Sequence, residues 1–104
     1  MEESRSGKIR VHVDPDLAEL IPGYLANREK DIAELGNALE KKDMDAARVI
    51  GHSMKGSGGG YGFDTITDIG MCMEKAAKDG RDDAIRQQMK RLDDYLDQVE
   101  IVYD

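Results

Sequence analysis

His52 is the residue whose type and surroundings are best suited to covalent chemistry in this sequence. Arg48 and Lys55 lie about one helical turn from it on either side, and a run of glycines follows. A neutral imidazole is a nucleophile near pH 7, because its ordinary pKa is about 6.5. An exposed imidazole can attack a phosphoryl group and hold it as a phosphoramidate. Lys55 is then placed to offset the negative charge that is added.

The spacing around His52 predicts that its ring faces solvent. With Ala47 at 0° and about 100° per residue, the apolar stripe of the predicted helix lies within about 60°, whereas His52 lies near 140°. The stripe contains Ile50, Gly51, Met54, Gly58 and Tyr61. His52 therefore occupies the solvent flank, together with Arg48 and Lys55.

Other residues near His52 have candidate roles in the same chemistry. Ser53 or Ser57 can add a hydroxyl donor to a bound phosphoryl group, and Arg48 either supports the phosphate or solvates the helix. Glycines at 56 and 59 remove side chains where another protein's active site has to approach. Val49 and neighbouring apolar atoms predict a small exposed patch of the kind that marks docking sites.

Two simpler interpretations of the same residues are less favoured. A lone helical histidine is usually ordinary, as we expect for His12, but His52 has Lys55, Gly56, Ser57 and Gly62 in register. A nucleotide-binding loop would read Gly-Lys-Ser/Thr after a strand. The order here is Lys-Gly-Ser, and no strand is predicted before it.

Apolar periodicity predicts the elements that position these residues. Four long segments have helical spacing, and Asp43 is suited to cap the second of them, while Asp14 is suited to cap a short helix that precedes the first. The last stripe consists of Ile85, Met89, Leu92, Leu96, Val99 and Tyr103, which predicts a helix extending to Tyr103. Short connections favour an all-α fold, an antiparallel up-and-down four-helix bundle with a short N-terminal helix. The bundle spans residues 14–104.

Residues 1–13 are predicted to form a flexible or extended N-terminal arm. The first eight residues are polar and lack periodicity, so we expect a frayed tail. Ile9, Val11 and Val13 alternate with polar residues in a strand-like pattern. No other segment has the pattern of a partner strand, so the expectation is an extended arm lying on the bundle.

The segment from His52 to Gly62, HSMKGSGGGYG, resembles the motif of histidine-containing phosphotransfer (HPt) domains. In that motif, His is followed by any residue, a hydrophobe, Lys, Gly, and then either Ser or Ala. A hydrophobe and a second Gly come later in the motif. Met54 stands where Leu is commoner. Ile69, Cys72, Met73 and Glu74 resemble the helix that follows in the family. The resemblance covers about residues 14–103.

The resemblance implies a four-helix bundle that relays a phosphoryl group in a two-component phosphorelay. His52 would accept it from a receiver-domain aspartate or a kinase and pass it to another receiver. Lys55 and the region of Ser53 and Ser57 would surround the phosphate, and Gly56 would grant access. The chain would be a carrier rather than an enzyme. It would have no cofactor of its own, since Mg²⁺ would belong to the receiver.

Composition limits the remaining classes. The chain has 104 residues and a formal charge of −7, which allows one domain and argues against general nucleic-acid binding. One cysteine excludes a disulfide framework and a cysteine-based zinc site. No membrane-spanning run or signal peptide is apparent. We therefore expect a cytoplasmic monomer that binds response-regulator receivers and neither membranes nor nucleic acids.

The main alternative is a binding module without phosphorylation, which would inhibit or scaffold a receiver or kinase while His52 stays idle. The intact register of His52, Lys55 and Gly56 argues against it. A plain structural bundle would leave the glycines unexplained, because each costs about 0.5–1 kcal/mol in a helix interior. The sequence fits both a free-standing carrier and a domain of a larger kinase.

Overall fold

Four long helices make up most of the residues, 9–104, that a computed structural model of the chain describes. The predicted tail over residues 1–8 lies outside the described range. Two short strands flank the helices, and two 3-10 turns lie between elements. In chain order, the elements are β1 (Ile9–Val13), a 3-10 turn (Pro15–Leu17), α1 (Ile21–Glu40), α2 (Met44–Ser57), a 3-10 turn (Gly59–Tyr61), α3 (Asp64–Lys78), α4 (Asp82–Gln98) and β2 (Val99–Tyr103).

The helices pack in a ring, in which α1 contacts α2 and α4, and α3 contacts the same two helices. The predicted four helices are therefore confirmed, whereas their antiparallel up-and-down order stays a prediction. The largest fully buried side chains come from all four helices, from β1 and from the loop before α3. They are Val13, Ile21, Leu35, Met54, Phe63, Ile66, Ile69, Met73, Ile85 and Leu92. Within residues 9–104, no helix is long and apolar enough to cross a membrane.

Capping side chains set the start of two elements. The Asp43 side chain accepts a hydrogen bond from the Ala46 amide at 3.0 Å and begins α2. Asp14 accepts from the Asp16 amide at 2.9 Å, but the short helix that it begins is a single 3-10 turn. The chain then restarts as α1, with Pro22 in the first turn, where a missing N–H is tolerated.

The glycine run ends α2 and turns the chain towards α3. The helix stops at Ser57, and the following 3-10 turn ends at Gly62, whose φ of +94° lies in the left-handed region that favours glycine. The turn places the Tyr61 ring on Tyr24 of α1, with 4.4 Å between ring centroids. His52 consequently lies inside a regular helix, more than a turn before the glycine run disrupts it.

The two ends of the described chain form a sheet that the sequence analysis missed. Strand β1 pairs in parallel with β2, in a register that sets Ile9 opposite Val99 and Val13 opposite Tyr103. The predicted extension of the last helix to Tyr103 is wrong, because α4 ends at Gln98. The expectation that no partner strand exists is also wrong. Ile9–Val13 is extended as predicted but hydrogen-bonded to β2. The division into an arm and a bundle at residue 13 stays a prediction.

The burial of Val13 in the core predicts that β1 contributes to stability. We expect Val13→Ala to lower the free energy of unfolding by about 2 kcal/mol, because two buried methyl groups and their packing are lost. Val49→Ala removes the same atoms from an exposed position and should change it by less than about 0.5 kcal/mol. Denaturant unfolding measures both. Equal, small effects would show that β1 is not part of the core.

Candidate functional site

His52 lies on the exposed flank of α2, as its spacing predicts, and 66% of its side chain is accessible to solvent. Its Nδ1 atom is 3.1 Å from Oε2 of Glu74, which extends from the neighbouring helix α3. Nε2 has no hydrogen-bond partner among residues 9–104. The ring is therefore held at one nitrogen and open at the other.

Glu74 is the centre of the charge arrangement around His52. Its side chain is 9% exposed, and its Oε1 atom is 2.8 Å from the ammonium nitrogen of Lys55. Lys78 lies farther away, with its Nζ 3.9 Å from Oε2. Two cations and the His52 ring thus converge on one carboxylate, which is fixed from both helices.

The surroundings of Glu74 determine its charge and the tautomer of His52. The hydrogen bond from Lys55 is the main reason that the pKa of Glu74 lies below its ordinary value of 4.5, with the hydrogen bond to His52 contributing and desolvation acting against both. An ionised carboxylate only accepts hydrogen bonds, so Nδ1 of His52 carries the proton in this contact. The neutral ring then presents the Nε2 lone pair to solvent.

The structure brings Lys55 to His52 but gives other partners to two of the predicted phosphate-supporting residues. Arg48 extends to Asp45, with Nη2 2.9 Å from Oδ1. The Ser57 hydroxyl lies 2.9 Å from the hydroxyl of Tyr24 on α1. Ser53 is exposed on α2. Of the four predicted supports, Lys55 is the one that shares a partner with His52.

A buried polar cluster holds Ser57 against α1. The guanidinium of Arg28 lies 4.5 Å from the centroid of the Tyr24 ring, donates to Asp31 at 2.7 Å and reaches the Ser57 hydroxyl at 3.5 Å. Burial raises the pKa of Asp31, although Arg28 acts to lower it. The cluster joins the first half of α1 to the end of α2. It fixes the helix that carries His52 rather than contacting His52.

The residues predicted to allow partner access lie on the surface. A Cβ placed on Gly56 would meet nothing within 4 Å, so this position is open. Gly59 is exposed, and its amide donates to the Thr67 hydroxyl at 2.7 Å. Val49 is 51% exposed, as is Met71 on α3. These residues form an exposed, partly apolar surface near His52, in which the glycines contribute no side chains.

Sequence reasoning assigned no role to Glu74, although the residue was part of the family resemblance. Its importance depends on the packing of α3 against α2, which the periodicity of one helix does not reveal. The one indication of a role for Glu74 in the sequence is its position in the segment that resembles the family's following helix. In the described part of the chain, no three His, Cys, Asp or Glu residues come together to hold a metal ion.

Comparison with known proteins gives one match. A family model described as the Hpt domain matches residues 19–101, a range that contains all four helices and the first three residues of β2 but not β1. No curated protein and no solved structure matches the chain. The matched range includes His52, Lys55 and Glu74.

The lowered pKa of Glu74 predicts a pH-dependent contribution to stability. A carboxylate whose pKa is depressed by folding stabilises the fold above its ordinary value, 4.5, and loses that effect as the pH falls through the lowered value. Glu74→Gln should therefore lower Tm at neutral pH, and the difference from wild type should shrink in acid. Thermal melts across this range test it, with exposed Glu29→Gln as the control. A difference that stays constant or grows in acid would contradict the prediction.

The hydrogen bonds of Ser57 predict different effects for the two serines. Ser57→Ala should lower the free energy of unfolding by about 1 kcal/mol, because the Tyr24 and Arg28 groups lose a buried partner. Ser53→Ala should change it by less than about 0.5 kcal/mol, since that residue is exposed. Denaturant titrations compare the two variants. Equal effects would show that the contact with α1 contributes nothing.

Proposed function

Because the chain belongs to the Hpt domain family, we propose that it carries a phosphoryl group on His52 between the aspartates of receiver domains, or from a kinase to a receiver. Hpt domains are phosphotransfer carriers of two-component phosphorelays and are generally not classed as enzymes. They interact with receiver domains and kinases. The family match does not assign the phosphorylated residue, the supporting residues or the docking surface, and these are part of our proposal.

The observation that carries the proposal is the asymmetry of the His52 ring. Nδ1 is held by Glu74 at 3.1 Å, while the side chain is 66% exposed. A phosphoryl acceptor needs a free lone pair that a partner can reach, and Nε2 supplies it in the tautomer that Glu74 selects. An ordinary surface histidine would have neither a fixed tautomer nor a shared lysine.

The transfer step balances with the groups at hand. The Nε2 lone pair forms the N–P bond while the O–P bond of the donor aspartyl phosphate breaks, and that electron pair returns to the aspartate carboxylate. Nδ1 keeps its proton, so the ring becomes a phospho-imidazolium whose positive charge faces Glu74. Transfer to the next receiver reverses the step on another aspartate.

Lys55 is the principal support for the phosphoryl group in this proposal. Its ammonium group already lies beside the His52–Glu74 pair and is 39% exposed, so it can offer charge-assisted hydrogen bonds to phosphoryl oxygens. Ser53 is exposed and free to add a hydroxyl. Arg48 can contribute on leaving Asp45, because surface pairs of this kind are weak. The role of Ser57 is indirect, because its hydroxyl contacts Tyr24 and so holds the end of α2 against α1.

The receiver is proposed to dock over the open surface beside His52. Gly56 and Gly59 leave space for the rim of its active site, and Val49 offers apolar contact. The Mg²⁺ ion that neutralises the phosphoryl oxygens during transfer would be held by the receiver, and the chain would use no cofactor of its own. We propose a cytoplasmic monomer, with no nucleic-acid or membrane partner.

Phosphotransfer assays test the proposal directly. Incubation with a phosphorylated receiver, or with a cognate kinase and labelled ATP, should place an acid-labile, alkali-stable label on the chain. His52→Gln should abolish the label, because its amide nitrogen is not a nucleophile. His12→Gln should retain it, since His12 pairs with Asp104 at the sheet.

Two outcomes would contradict the proposal. One is label that persists in His52→Gln. The other is receiver binding that is unchanged by His52→Ala, together with no transfer to the wild-type chain from any donor tried. The second outcome would support the alternative of a binding module that inhibits or scaffolds signalling.

A further inference from the structure

Helices α2 and α3 cross at two glycines that lie next to the His52 site. Gly51 precedes His52, and a Cβ on it would lie 2.7 Å from the backbone nitrogen of Glu74. Gly70 lies one turn before Glu74, and a Cβ on it would lie 2.7 Å from the carbonyl oxygen of Gly51 and closer still to the backbone nitrogen of Lys55. Gly51 on α2 therefore packs against the backbone of Glu74, and Gly70 on α3 packs against the backbone of Lys55.

The separation of the two helices sets the reach of Glu74. Ordinary Cβ contacts lie at 3.4–4 Å, so a methyl group at Gly70 requires the Gly51 carbonyl oxygen to lie at least 3.4 Å from the new Cβ instead of 2.7 Å, and the two backbones must move apart by that difference. Backbone atoms, unlike the end of a flexible side chain, cannot give way locally. The same outward shift applied to the 3.1 Å contact between Glu74 and His52 takes it past about 3.6 Å, at which a hydrogen bond is lost.

We propose that the Gly51–Gly70 crossing is a positioning device for phosphotransfer: the missing side chains bring α3 close enough for Glu74 to hold Nδ1 of His52 and Nζ of Lys55 together. Glu74 and both glycines are positioning residues, since they act through His52. The effect on transfer rests on the proposed function, whereas the effect on the His52 tautomer does not.

The remaining glycines provide a matched comparison. Gly58 also faces α3 across a tight contact, where a Cβ would lie 2.7 Å from the Thr67 backbone nitrogen and 2.8 Å from the Phe63 carbonyl oxygen. That contact is nearly two turns from His52 and does not involve Glu74. Gly36 in α1 has nothing within 4 Å. Gly58→Ala thus introduces a steric clash with α3 at a distance from His52. Gly36→Ala adds a methyl group to α1 without any clash.

The experiment compares Gly70→Ala with Gly58→Ala and Gly36→Ala by ¹⁵N NMR of the His52 ring. Spectra are recorded at alkaline pH, in a range where the ¹⁵N shifts no longer change with pH, so that only the two tautomers of the neutral ring are compared. Wild type, Gly58→Ala and Gly36→Ala should show a protonated Nδ1 and an unprotonated Nε2. Gly70→Ala should lose this preference and give mixed tautomers. Its phosphorylation by a receiver donor should also slow by about twofold or more, in proportion to the lost fraction of the Nδ1-protonated tautomer, because the other tautomer offers no lone pair at Nε2.

Glu74→Asp keeps the test decisive if Gly70→Ala does not fold. It leaves the helix crossing unchanged but shortens the carboxylate arm by one methylene group, so the tautomer preference should again be lost. The proposal is overturned if folded Gly70→Ala or Glu74→Asp keeps the wild-type tautomer, or if Gly58→Ala loses it equally. A wild type that has the expected tautomer but accepts no phosphoryl group would refute the proposed function and leave the positioning device intact.

Discussion

The sharing of one nearly buried carboxylate by an imidazole and an ammonium group is the interaction on which the site depends. Glu74 would be costly to bury as an isolated charge, because desolvation disfavours its ionised form. Lys55 offsets that cost, and His52 takes the second oxygen. Without the carboxylate, His52 would be a mobile surface ring and Lys55 an unattached cation. Both helices contribute, so the site exists only when α2 and α3 are packed.

Because the site requires α2 and α3 to be packed together, the contacts that position α2 are important for it. The end of α2 is fastened to α1 through Ser57, Tyr24 and Arg28, while its middle lies against α3 at glycines. A glycine in a helix interior costs about 0.5–1 kcal/mol relative to alanine. The bundle tolerates that cost at Gly51 and Gly70 because a larger residue would push Glu74 out of reach.

The sequence revealed the features that depend on a single helix and missed those that depend on two elements. The wheel of α2 predicted an exposed His52 with Lys55 nearby, because both follow from spacing alone. It did not predict the partners of Ser57 or the role of Glu74, since these are contacts with α1 and α3. The stripe over Leu92, Leu96, Val99 and Tyr103 fits a heptad, but Val99, Ile101 and Tyr103 also alternate as in a strand. The pairing with Ile9–Val13 decides between the two, and no local pattern contains that information.

The parallel pairing of β1 and β2 has a kinetic consequence. Parallel strands require a crossover connection, and here the crossover is the whole four-helix bundle, because Ile9 lies opposite Val99. The pairing closes a loop of about ninety residues, which carries an entropic cost that local helical contacts do not have. We therefore expect the helices to assemble from short-range contacts before the two strands pair. On this expectation, the packing of α2 against α3 beside His52 and the pairing of the two strands belong to different stages of folding.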